Sequence, residues 1–132
     1  MEMVQATSRT LASEKMVNYH PTSGNVSMTT LGRVAAHFYI QADSVATFND
    51  SMGLNEYPTD SNLLMMVSSA NEFDNLRVRQ EEQSELDDLQ KSCPLILEGP
   101  VNVAPTKTYV LLQALISRQR PICFTLISVT NY

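Results

Sequence analysis

Thr29-Thr30-Leu31-Gly32-Arg33-Val34-Ala35-Ala36-His37-Phe38-Tyr39-Ile40 is the stretch on which the reading of this chain turns. Leu31, Val34, Ala35 and Phe38 fall at i, i+3, i+4 and i+7, one face of a helix. Thr29 or Thr30 offers a side-chain oxygen to the first unpaired amides, so the spacing predicts a helix over Leu31 to Ile40. Upstream the pattern changes. Ala6 to Met16 suits a short helix, and Met16 to Tyr19 and Val26 to Thr29 are short extended runs. The turn-rich string His20-Pro21-Thr22-Ser23-Gly24-Asn25 separates them. Helix, strand, turn, strand is the order found in the back half of a winged-helix unit.

Downstream the periodicity stays helical. Asp43 or Ser44 can cap a second helix in which Val45, Phe48 and Met52 share a face and Gly53 ends it. Asn55 to Thr59 is expected to be a loop. Thr59 or Asp60 then caps a helix from Ser61 to Asn71, and the run Leu63 to Val67 predicts that it is buried and central. Arg79 to Ser92 has a thin apolar stripe, Leu86 and Leu89, and predicts a surface helix supported by the pairs Arg77–Glu81 and Asp87–Lys91. Pro94 to Pro105 holds three prolines and predicts an extended strap. Thr106 to Arg118 is helical again: Tyr109, Leu112 and Ile116 form one stripe, Val110, Leu111, Ala114 and Leu115 broaden it, and burial is expected. Pro121 stops or restarts the chain, and the sequence ends inside an apolar element begun at Ile122. The expected class is mainly α, a helical bundle preceded by the helix and β-hairpin of a partial winged helix. The expected boundaries are 1–40 for the winged-helix end with its linking helix and 41–132 for the bundle.

With 132 residues and 43% hydrophobic content, the chain is long enough for a real core. Its net charge of −5 argues against a free-standing nucleic-acid binder driven by charge. Cys93 and Cys123 lack metal-ligand spacing and read as two reduced thiols of an intracellular protein. No signal peptide is recognisable, and Leu63 to Val67 is far too short to span a bilayer. Without a secretory signal, the glycosylation patterns at Asn25 and Asn49 read as chance matches.

The chemistry is sparse. None of the four glycines precedes a Lys-Ser or Lys-Thr pair, so no phosphate loop is present, and no catalytic, metal or cofactor-binding residue is expected. His37 reads as a core or boundary histidine and His20 as solvated. Glu81, Glu82, Glu85, Asp87 and Asp88 read as one solvated face. Arg77 with Arg79 and Arg118 with Arg120 can touch phosphates, or can serve helix C-termini and internal ion pairs. Arg33 joins them as a candidate nucleic-acid contact. No aromatic residues interleave with the two pairs as a stacking platform would need. Met52, Met65 and Met66 read as flexible core filler.

Thr29 to Ile40 resembles a junction in the large two-cassette DExH-box helicases of the Ski-two-like group, where a winged helix runs through a threonine-leucine-glycine-arginine segment into a helix. Ser44 to Asn49 looks like that family's next helix. Ser69-Ala70-Asn71-Glu72-Phe73-Asp74 with Val78-Arg79-Gln80-Glu81-Glu82, and then Leu111-Leu112-Gln113-Ala114-Leu115-Ile116-Ser117, are similar to two later family stretches in the same order. Gln80 departs from the family, which commonly has an acidic residue there. The resemblance implies the end of a winged helix and the start of a Sec-sixty-three-type helical domain. Within the family it leans toward members acting on colliding ribosomes, with spliceosomal members next. It further implies a non-catalytic piece of an RNA helicase, with ATP and Mg held elsewhere in the parent. The strand-gripping ratchet helix would begin at or after Tyr132. Implied partners are the rest of the helicase, RNA through that parent and proteins of a multisubunit complex, in nucleus or cytoplasm and with no membrane. The alternative from the residues alone is a free-standing helical interaction module without activity.

Overall fold

The computed structural model describes residues 2–54 and 57–130 and divides into two compact units, Met1–Gly53 and Leu54–Tyr132. The class is mainly α, with one two-stranded antiparallel hairpin among the described residues.

The first unit runs α1 (Glu2–Ser13), β1 (Val17–His20), β2 (Asn25–Met28), α2 (Thr30–His37) and α3 (Ala42–Leu54). The hairpin pairs Val17 with Met28 and His20 with Asn25, and Gly24 turns it at φ 70°. The Thr29–Gly32 step joins hairpin to helix. The Thr29 N–H donates to the Met16 carbonyl, and the Thr29 hydroxyl lies 2.8 Å from that oxygen and 2.7 Å from the Lys15 carbonyl. The same hydroxyl oxygen accepts the Gly32 N–H at 3.0 Å and so caps α2. This draws α2 so close to Met16 that a Cβ on Gly32 would stand 2.0 Å from the Met16 oxygen. Only glycine fits there.

The faces of α2 and α3 differ from the expectation. Gly32 and Ala35 are buried, whereas Leu31, Val34 and Phe38 are exposed, and His37 is exposed with its ring edge-on to Phe38 at 5.0 Å. The close approach at Gly32 turns the small-residue side inward. The helix also stops at His37, because Tyr39 adopts φ 57° and the Ile40 N–H reaches back to the Ala35 carbonyl. In α3, Val45 is buried, Phe48 half-buried and Met52 exposed, and the helix runs through Gly53 to Leu54. The expected loop residues 55 and 56 lie outside the described residues.

The second unit runs α4 (Asp60–Ser68), two short 3-10 turns at Asn71–Phe73 and Gln80–Glu82, α5 (Gln83–Ser92), α6 (Ala104–Ile116) and α7 (Phe124–Thr130). Leu86, Val101, Val110, Leu111 and Leu126 form its core, with Val78, Leu89, Cys93, Leu97, Cys123 and Val129 packed against them. Each such fully buried side chain contributes roughly 1.5–3 kcal/mol. α6 is the central helix, packing on both α4 and α5. The buried Tyr109 hydroxyl bonds Ser61 of α4 at 2.8 Å.

Two expectations fail here. α4 is not buried: Leu63 and Val67, four residues apart, are exposed, and Leu64, Met65 and Met66 are half-buried. α6 is buried as expected along Tyr109, Val110, Leu111 and Ala114, and along Lys107, Thr108 and Gln113 besides, but Leu115 and Ile116, expected to join them, are exposed at its end. One α4 face is therefore left open beside the α6 C-terminus.

The proline-rich strap between α5 and α6 is non-helical as expected, but it bends at 94–95 and 98–99 and ends before Pro105, which lies in the first turn of α6; three glutamines hold its backbone. Gln113, itself buried, accepts the Leu95 N–H at 2.8 Å and donates to the Leu95 carbonyl at 3.1 Å. Gln90 donates to the Leu97 and Gly99 carbonyls, and Gln83 to the Val101 carbonyl. Prolines prevent a ladder, so side-chain amides replace it.

Candidate functional site

All five arginines singled out from the sequence are exposed. Arg33 lies on α2 in the first unit. Arg77 and Arg79 flank Val78, which packs on the core, so the pair sits on a segment anchored between them. The anchor is a buried ion pair that the sequence reading missed. Lys107 on α6 and Glu82 meet at 2.6 Å, with 2% and 1% of their side chains exposed. The Lys107 ammonium also donates to the Arg77 carbonyl at 3.0 Å, and the Glu82 carboxylate accepts the Arg79 N–H at 3.1 Å. Both arginine backbones are thus tied to one desolvated charge pair.

Burial raises the Glu82 pKa. The hydrogen bond from Lys107, the nearby Thr125 hydroxyl, the Arg79 amide and the Lys107 charge outweigh it and hold the carboxyl below its ordinary 4.5. Glu82 Oε1 and Thr108 Oγ1 are buried without a hydrogen-bond partner among the described residues. Removing either partner of such a pair strands the other as an uncompensated buried charge.

The acidic run is therefore not one solvated face. Glu82 is internal, and Glu85 accepts the Ile122 and Cys123 amides ahead of α7. Asp87 bonds Gln83, and Lys91 pairs with Asp88 at 2.9 Å, not with Asp87. The expected Arg77–Glu81 pair is absent among the described residues, because helix begins only after Arg79. Glutamate three residues after Arg79, facing a lysine one turn into an apolar helix, was the signal available for the internal pair.

Arg118 and Arg120 border a groove of about 650 Å³ with Leu115, Gln119, Pro121, Ile127 and Thr130. Arg120 also borders a second groove that carries Glu81, Glu85 and Asp88. Arg118 ends α6 in the left-handed region at φ 56°, where the Gln119 N–H bonds the Ala114 carbonyl at 2.8 Å. A separate groove of about 440 Å³ lies between α4 and the end of α6, floored by the strap. Leu63, Leu64, Val67, Pro94, Leu95 and Ile116 make it almost wholly apolar.

Cys93 and Cys123 are free thiols, and burial pushes the Cys93 thiol up. No cluster of metal-ligating side chains occurs among the described residues, and no helix among them is long and apolar enough to cross a membrane.

Residues 28–132 match the Sec63 Brl domain family. Over 98% of its length the chain is 40% identical to "DExH-box ATP-dependent RNA helicase DExH14" of Arabidopsis thaliana. It is 36% identical over 99% of its length to "Activating signal cointegrator 1 complex subunit 3" of Homo sapiens. It is 33% identical over its whole length to "U5 small nuclear ribonucleoprotein 200 kDa helicase" of Homo sapiens. The chain spans 6% of the length of each of these relatives.

Proposed function

The chain belongs to the Sec63 Brl domain family, and from that premise we propose that it is a non-catalytic supporting piece of an ATP-dependent RNA helicase. It holds the strand-gripping helix of the parent and couples that helix to a winged helix. The observation that carries this reading is the apolar groove between α4 and α6. Its walls come from helices whose other faces are fixed, α6 by the core and α4 by the Ser61–Tyr109 bond, so the groove is preformed. Leu63, Val67 and Ile116 present an aliphatic surface that water contacts unfavourably, and an apolar helix face laid on it gains burial.

The chain's division of labour follows. ATP and Mg are held by other parts of the parent. Residues 1–40 are the winged-helix end and residues 41–132 the bundle. The arginines Arg33, Arg77, Arg79, Arg118 and Arg120 contribute at most peripheral contacts to the strand. The parent works in the nucleus or cytoplasm, within a multisubunit assembly of the sort named for its relatives.

In the parent, replacing Leu63 and Ile116 together by lysine should lower strand unwinding tenfold or more while ATP hydrolysis persists. Unwinding at the unaltered rate would overturn the supporting role. The purified chain alone should hydrolyse no ATP, and turnover by it would refute the non-catalytic reading. The same open groove also suits a free-standing interaction module, and the size of the native product separates the two.

A further inference from the structure

We infer that the groove between the α6 C-terminus and α7 docks an acidic amphipathic helix of a protein partner. This goes beyond the supporting role and does not depend on it, because the groove is a different one. Its lining is part aliphatic, from Leu115, Pro121 and Ile127, and part polar, from Gln119, Thr130 and two arginines, Arg118 and Arg120. Neither arginine makes an ion pair among the described residues, and both are exposed. Leu115 is also more than half exposed, so the aliphatic lining is open to a ligand.

An amphipathic helix matches this pattern. Its apolar face covers the aliphatic lining, and carboxylates three or four residues apart, about 5–6 Å between their Cβ atoms, can be set beside it on the side of the arginines. Arginine forks suit carboxylates bidentately. A nucleic-acid strand fits less well. The groove lacks an aromatic ring on which bases could stack. A strand also carries a charge at every nucleotide, and past Arg120 it would meet Glu81, Glu85 and Asp88. A helix can place its carboxylates at the two arginines and neutral residues elsewhere.

The conformation of Arg118 makes the inference testable without damaging the fold. Lys15, Tyr39 and Arg118 all end helices in the left-handed region. Glycine is the better residue there by about 1 kcal/mol. If Arg118 served only to end α6, Arg118→Gly would cost nothing. If its guanidinium binds a partner, the same substitution removes binding from a fold that is equally or more stable.

The test is fluorescence anisotropy on the full chain with a fluorescein-labelled helical peptide, leucines on one face and glutamates at i and i+4 beside them. A scrambled peptide and a labelled oligouridylate serve as comparisons. Saturable binding of the amphipathic peptide is expected, weakened about tenfold by Arg118→Gly and by Arg120→Gln, with the melting midpoint of Arg118→Gly unchanged or raised. Leu63→Lys, in the other groove, should leave binding intact. Equal binding of the scrambled peptide, binding insensitive to Arg118→Gly, or binding lost in Leu63→Lys would overturn the inference. So would no binding at all. Preference for the oligouridylate, lost in Arg118→Gly, would assign the groove to nucleic acid instead.

Discussion

Gly32→Ala has two opposed expectations, and the structure decides between them. In an exposed helix, alanine in place of glycine stabilises by about 1 kcal/mol. At Gly32 the added methyl would stand 2.0 Å from the Met16 carbonyl oxygen and 2.8 Å from its carbon, where real Cβ atoms essentially never come within 3.0 Å. The obstacle is backbone, so no rotamer change relieves it. Reaching 3.0 Å requires α2 and the β1 entrance to part by about 1 Å, the difference between those two distances. The same gap is spanned by the Thr29 N–H bond to Met16 and by the Thr29 hydroxyl on the Lys15 and Met16 carbonyls. Losing two or three net hydrogen bonds at about 1 kcal/mol each outweighs the propensity gain. A net loss on the order of 1–2 kcal/mol follows, confined to the first unit. Hydrogen exchange resolved by residue is the assay, with protection falling roughly tenfold or more at Thr29 and Gly32. Protection that rises there, with a higher melting midpoint, would refute the close approach of α2 to Met16.

Three further outcomes are expected. Glu82→Met and Lys107→Met should each destabilise by about 3–5 kcal/mol in chemical denaturation, and the double variant carrying both by clearly less than their sum, because each single change strands a buried partner. Because the Glu82 pKa is lowered in the folded chain, its stabilising share is present above 4.5 and is lost as pH falls below 4.5 toward the folded value; a pH series of melting midpoints should show that drop, shallower in Glu82→Gln. Gln113→Leu, which leaves the Leu95 N–H and carbonyl without their partner, should cost about 1–3 kcal/mol and increase proteolysis within the strap.

The helices and the hairpin were legible because their signals are local. Thr29 and Thr59 cap the helices where side-chain oxygens are expected, and the short extended runs on either side of the turn-rich His20 to Asn25 give two strands. Faces and ends were less legible. Leu31, Val34 and Phe38 satisfy the period of a buried face, but the contact of Gly32 with Met16 sets which side of α2 turns inward, and it joins residues sixteen apart in sequence. Helix ends at Lys15, Tyr39 and Arg118 carry no glycine to announce them, whereas Gly53, which looked like a stop, lies inside α3. Polarity also misled. Glu82, Lys107 and Gln113 look like surface residues and are buried, because each is matched by a partner distant in sequence. That Arg118 and Arg120 share a groove with Leu115 and Ile127 was not legible, because it needed the turn between α6 and α7.

The central claim is that this chain is a supporting piece of a large helicase, and an immunoblot of the source cells with an antibody raised against the chain tests it most directly. The account predicts a band many times larger than the 14.7 kDa of the chain. A single band at 14.7 kDa would contradict it and leave a free-standing interaction module.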